Sequence, residues 1–226
     1  MAVYQVYQKN KRSLFDNLGV TSSLILVNVA FFFVFMFLLI LNRDNPQILY
    51  DYIAIKPSNI FGGKYLWTFI TSMFMHAGFF HLFVNMLSLF FVGSLVERIL
   101  GQKRYLYFYL ISGLFAGLFF ILWSFAFSSG LDTFAVGASG ALFGLIGLLM
   151  ILTPNLPVYL MFIPIPIKMK YAAPGMLLVL WLISVTGNVP IGNTAHLGGL
   201  IAGLIYGIYI KNKFPNKTKN IQRIFS

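Results

Sequence analysis

The sequence predicts an all-α membrane protein: a six-transmembrane-helix bundle with an interfacial first outer loop. Three observations predict it. Hydrophobic residues make up 59% of the 226-residue chain and charged residues only 9%, whereas a soluble domain carries about 25% charged residues. The polar residues are too few to cover a water-exposed globule. The apolar residues gather in runs of about the 20 residues that a bilayer-crossing helix needs. The basic residues gather in the gaps between those runs and at both ends, where anchoring and orientation account for them.

The segments follow in order. Residues 1–21 form a cytoplasmic N-terminal segment in which Lys9, Lys11 and Arg12 precede the first apolar run. No small-residue cleavage site follows that run, so it is read as an uncleaved helix rather than a signal peptide. The six helices are expected at Ser22–Leu41, Phe79–Leu100, Tyr105–Phe127, Ser139–Thr153, Tyr171–Thr186 and Thr194–Asn212, together spanning residues 22–212. Residues 213–226 are a basic cytoplasmic tail. With the N-terminus inside, 13 of the 16 basic residues fall on the cytoplasmic side and only Arg43, Lys56 and Lys64 outside. That bias orients the chain and starts helices two, four and six at the outer face.

Two segments stand out. The link between helices one and two, about 37 residues, is long for a plain connection and carries Phe61, Tyr65, Trp67, Phe69 and Phe74. A structured amphipathic element lying in the interface suits it. Helix four, about 15 residues, reaches only about 22 Å at 1.5 Å per residue, short of the roughly 30 Å hydrocarbon core. Its outer end is expected below the outer boundary, with the preceding loop dipping into a wet cavity, since irregular backbone is tolerated at that depth only there or inside protein.

The composition excludes several chemistries. The chain has no cysteine, so it has no disulfide, thiolate nucleophile or zinc–thiolate site. Three histidines without neighbouring carboxylates are a poor hard-metal set, and no cofactor is expected. The net charge of +11 is accounted for by membrane orientation, so no nucleic-acid partner is expected.

Three polar clusters interrupt the apolar background, each near the start of an even-numbered helix: His81 with Asn85, Gly137-Ala138-Ser139-Gly140, and Ala195-His196 with Gly199. A serine at a helix start meets free backbone N–H groups and the positive end of the helix dipole, which would stabilise an oxyanion. The alternative for Ser139 is a capping serine. On helix six, His196, Gly199, Gly203 and Gly207 share one face. On helix four, Gly140, Gly144 and Gly147 share another. Such faces let two membrane helices approach closely, near enough for His196 to act as base toward Ser139. The acids stand elsewhere, so a dyad of Ser139 and a neutral His196 is expected, without a third carboxylate. His81 and Asn85 are one turn apart and can both donate hydrogen bonds. They either complete an oxyanion hole or act as polar contacts between helices.

Together, HxxxN at His81 and Asn85, GxSGxxxGLxG from Gly137 to Gly147 and AHxxGxxxG from Ala195 to Gly203 resemble the rhomboid family of intramembrane serine proteases. The resemblance covers about residues 20–212. It implies a six-helix rhomboid-like core that cleaves transmembrane protein substrates near their outer ends. Ser139 would be the nucleophile and His196 the base, with His81, Asn85 and the Ser139 backbone at the oxyanion. It implies a structural or water-organising role for His76, a ring under His196 from Phe143, and a structural position for Glu97 that ties helix two to the first outer link. Helix five, with Trp181, resembles the family's lateral gate. Two positions depart from common family patterns: Trp67-Thr68 stands where many members have Trp-Arg, and Phe143 where some bacterial members have tyrosine. The expected location is a bacterial inner membrane. The rival readings are a rhomboid-like pseudoprotease that binds membrane clients and a small-solute channel or transporter. The latter class often shows repeated halves or a charged path, and neither is evident here.

Overall fold

The computed structural model describes residues 19–159, 165–187 and 192–225, so the expected cytoplasmic N-terminal segment lies almost wholly outside the described residues. Among these residues the chain is mostly helical. Four helical rods are long and apolar enough to cross a membrane: α1 (Val20–Leu41), the rod Phe79–Leu100, α7 (Gln102–Ala126) and α9 (Met169–Thr186). The rod Phe79–Leu100 comprises α5 (Phe79–Ser88), a π turn (Leu89–Gly93) and α6 (Ser94–Leu100). The other two expected spans are also helices. They are α8 (Ser139–Leu152), only 14 residues long, and α10 (Asn193–Lys213), which carries two lysines in its last turn.

Helix α8 is the centre of the fold. Its sequence is apolar all round, as suits a helix with neighbours on every side, and it is buried from Gly140 through Leu149. Helices α5, α7, α9 and α10 pack against it. The outer helices instead turn large apolar side chains away from the bundle, among them Phe33 and Phe37 of α1, Ile111 and Leu122 of α7 and Val185 of α9. Exposed apolar surface on that scale belongs to a lipid-facing protein.

The long first link is structured. It holds three short helices, α2 (Pro46–Ile53), α3 (Pro57–Phe61) and α4 (Thr68–Thr71). The departure at Trp67-Thr68 leaves it anchored by other groups: Trp67 Nε1 donates to the Tyr52 carbonyl at 2.8 Å, and Thr71 Oγ1 to the Ile53 carbonyl at 2.8 Å. Three local features were not anticipated. Pro157–Val158 (β1) pairs antiparallel with Ile167–Lys168 (β2). Ile55 and Ala135 form an isolated antiparallel bridge. The basic stretch after Lys213 folds into an amphipathic helix, α11 (Pro215–Ile224), which starts directly at the end of α10 with Pro215 in its first turn.

Glu97 requires a correction. It does not tie helix two to the first outer link. Its carboxylate accepts the backbone N–H groups of Val20 at 2.7 Å and Thr21 at 2.9 Å, capping the start of α1. The reason is positional: Glu97 sits near the end of α6, beside the N-terminus of α1, whose first N–H groups have no partner within the helix. A carboxylate there also favours the helix dipole.

Candidate active site

The loop before α8 turns at Gly137, whose φ of +119° favours a residue without a side chain. The Gly137 N–H donates to the Ser72 carbonyl at 2.8 Å. Ala138 is the N-cap residue of α8 and Ser139 its first helical residue, with no side-chain capping hydrogen bond. Ser139 is therefore not the N-cap of α8. Its Oγ lies 2.7 Å from Nε2 of His196, 57 positions away in sequence on α10.

Helix packing produces this contact. A β-carbon on Gly199 would collide with the Gly140 carbonyl, and one on Gly203 with the Gly144 carbonyl. The two glycine faces let the backbones of α8 and α10 touch, and His196 stands one turn before Gly199. Its ring is buried, and it stacks on Phe143 with centroids 4.6 Å apart and planes 21° from parallel. Phe143 is one turn beyond Ser139, so α8 supplies both the hydroxyl and the ring beneath the imidazole. Among the described residues His196 Nδ1 has no hydrogen-bond partner, so no carboxylate among them orients the ring.

His81 and Gly137 adjoin the pair. A β-carbon built on Gly137 would lie 2.9 Å from Cε1 and Nε2 of His81 and 3.5 Å from Ser139 Oγ. The tip of the His81 ring and the serine hydroxyl therefore face the same small space. His76 is buried with its ring edge-on to His81, centroids 5.1 Å apart, and its Nδ1 lies 3.3 Å from the Phe74 carbonyl. Asn85 is buried one turn below His81 and donates through Nδ2 to the His81 carbonyl at 2.8 Å. The structure thus gathers Ser139, His196, His81, His76, Gly137, Gly140, Phe143 and Gly199 at one end of α5, α8 and α10, with Asn85 one turn along α5 from His81. It leaves out Glu97, which caps α1, and Trp181, which is 40% exposed on α9.

Sequence reasoning missed the residues that pin the loop carrying Gly137 and Ser139. Ile55 and Ala135 exchange backbone hydrogen bonds at 3.2 and 2.9 Å, and the Ser58 N–H donates to the Leu131 carbonyl at 2.9 Å. Asp132 accepts from the Ser58 hydroxyl at 2.8 Å and lies 3.4 Å from Lys56 Nζ, which also lies 3.6 Å from Asp51. The Ser58 hydrogen bond first, and then Lys56, hold the Asp132 carboxyl below its ordinary range.

The family model for the Rhomboid domain matches residues 63–213. The chain belongs to the rhomboid family. Among relatives of this rhomboid, RHOMBOID-like protein 1 of Arabidopsis thaliana is 37% identical over 68% of the chain and 37% of its own length. Rhomboid protease AarA of Providencia stuartii is 28% identical over 84% of the chain and 72% of its own length. Inactive RHOMBOID-like protein 8 of Arabidopsis thaliana is 34% identical over 61% of the chain and 36% of its own length. The rhomboid chain spans less than half the length of the first plant and yeast relatives it matches. Its family and its apolar helices make it a multi-pass membrane protein. Relatives from a plant and from yeast, one named mitochondrial, stand beside the bacterial one, so the matches do not support a bacterial inner membrane in particular.

Proposed function

We propose that this rhomboid is an intramembrane serine endopeptidase that cleaves transmembrane substrates near their extracytoplasmic end by a Ser139–His196 dyad. The observation that carries the reading is the 2.7 Å contact between Ser139 Oγ and His196 Nε2 across two membrane helices. A hydroxyl and an imidazole at that separation can transfer a proton as the oxygen attacks. The six helices all cross the bilayer in this reading, with the N-terminus cytoplasmic and the first link at the outer interface.

In the proposed reaction Ser139 Oγ adds to the carbonyl carbon of the scissile peptide while His196 Nε2 takes the hydroxyl proton. The negative charge on the former carbonyl oxygen is met by the Ser139 N–H, the His81 ring and Asn85. The Asn85 amide uses one N–H on the His81 carbonyl and has a second to offer. His196 returns its proton to the leaving amine as the C–N bond breaks. Water then adds to the acyl-enzyme, with His196 again as base, and releases Ser139. His76 holds the His81 ring from the side, and Phe143 holds the His196 ring from below.

Substrate helices reach the site laterally past α9. This helix buries Met169, Ala172, Ala173 and Leu177, all in its first half, and no residue beyond Leu177. Its second half, with Trp181, is the loosely held part and serves as the gate. A substrate segment with weak helix propensity unwinds most readily there.

The other reading within the family is a rhomboid that binds membrane clients without cutting them. Ser139 and His196 in contact argue against it. Fluorophosphonate treatment of the purified protein separates the two. A covalent adduct on Ser139 that is lost in His196→Ala supports the protease. A folded protein that takes no adduct supports the binding protein.

A further inference from the structure

Helix α10 carries a second buried polar side chain beside His196. Asn193 extends the buried row of His196, Gly199, Gly203 and Gly207 by one turn toward the start of the helix. It is 5% exposed, and its Oδ1 has no hydrogen-bond partner among the described residues. The ordinary use of an asparagine at a helix start is to cap it. That use does not apply here. Gly192 is the N-cap residue, Asn193 is the first helical residue, and no side chain caps the helix. A buried acceptor left without a donor calls for an explanation.

His196 holds the complementary atom. Its Nε2 faces the Ser139 hydroxyl. For Nε2 to take the serine proton, the neutral ring must carry its own proton on Nδ1. That nitrogen is also buried without a partner among the described residues. Stacking on Phe143 fixes the plane of the ring but not which nitrogen is protonated. One helix face therefore holds, one turn apart, a donor without an acceptor and an acceptor without a donor. Helical side chains lean toward the N-terminus, which carries the imidazole back over the turn that Asn193 begins.

We propose that Asn193 is the positioning residue of the dyad: its Oδ1 accepts the Nδ1 proton of His196, directly or through one water, and so keeps Nε2 free to act as the base. This role rests on the reading of Ser139 and His196 as nucleophile and base. The amide stands where a triad has a carboxylate, and it selects the tautomer without placing a charge inside an apolar bundle. When the ring takes the serine proton it becomes a cation, and a hydrogen bond from a charged donor is the stronger kind. The contact is thus worth more in the transition state than at rest, and its loss falls on kcat.

The test is nitrogen NMR of the full chain, labelled at its histidine rings, in detergent at neutral pH. The chain has three histidines, so the signals missing in His196→Ala assign the ring. Wild type is expected to show Nδ1 of His196 protonated and Nε2 bare. Asn193→Leu, close in size and without an acceptor, is expected to populate the Nε2–H form and to lose roughly 10- to 100-fold in kcat with KM unchanged. Asn193→Asp keeps an acceptor at the same place and is expected to retain the wild-type tautomer and kcat within about threefold. If the leucine variant does not fold, Asn193→Ala takes its place. A wild-type ring protonated on Nε2 overturns the role with no variant needed. Unchanged spectra and kcat in folded Asn193→Leu do the same, and a raised KM with kcat intact makes Asn193 a substrate contact instead. A wild type that neither cleaves nor takes a fluorophosphonate on Ser139 sinks the dyad itself. A wild type that does both, beside an unaltered leucine variant, sinks only Asn193.

Discussion

The Gly140 carbonyl of α8 stands where a β-carbon on Gly199 of α10 would be. This backbone contact, one turn from His196, sets the distance between the two helices and therefore the distance between Ser139 and His196. Gly199→Ala must push the helices apart. Overpacking of this kind costs about 1–3 kcal/mol, and thermal unfolding in detergent is expected to show a lowered midpoint. Protein that remains folded is expected to lose at least about tenfold in cleavage rate, because a misplacement of about 1 Å can cost about 100-fold.

Asn85→Ala removes a buried donor without touching the Ser139–His196 contact. Loss of one oxyanion donor costs about 10²–10³ in kcat. The expected result is a drop of that size in kcat with little change in KM, since the interaction forms only in the transition state. Unchanged kcat would return Asn85 to the role of a helix contact through the His81 carbonyl.

Glu97→Ala removes the acceptor for the Val20 and Thr21 N–H groups. Loss of such a cap costs about 1 kcal/mol. A lowered unfolding midpoint is expected, with specific activity per folded molecule within about twofold of wild type, since Glu97 lies outside the site.

Asp132 gives a pH-dependent prediction. Its carboxyl is held below its ordinary range by the Ser58 hydroxyl and Lys56. A depressed carboxyl contributes stability above its unfolded pKa and loses that contribution as pH falls through the lower, folded value. The difference in unfolding midpoint between wild type and Asp132→Asn is therefore expected to be constant near neutrality. It should shrink toward zero in the acid range below the ordinary carboxylate titration. The Asp132 carboxylate is exposed, so added salt is expected to reduce the difference as well.

Four spans were legible because their apolar runs are long. The periodicity of Gly140, Gly144 and Gly147 against Gly199 and Gly203 also announced which helices touch. The direction of Glu97 was not legible, because hydropathy gives the depth of a residue but not which neighbouring helix end it meets. The clamp of Ile55, Ser58 and Lys56 on residues 131–135 was hidden for a similar reason. It is built mostly of backbone hydrogen bonds, which any side chains can make. In the sequence, α11 shows only as basic charge. Its apolar side chains are too few to form a membrane run, yet their spacing gives one flank of a short helix.

The central claim is that Ser139 cuts peptide bonds with His196 as its base. It is tested most directly by incubating purified wild-type protein and Ser139→Ala with a panel of single-span membrane substrates and mapping the cut sites by mass spectrometry. The account predicts a discrete cut near the extracytoplasmic end of at least one substrate, with a loss of at least about 1,000-fold in the variant. Undiminished cleavage at the same bond by folded Ser139→Ala protein would contradict it.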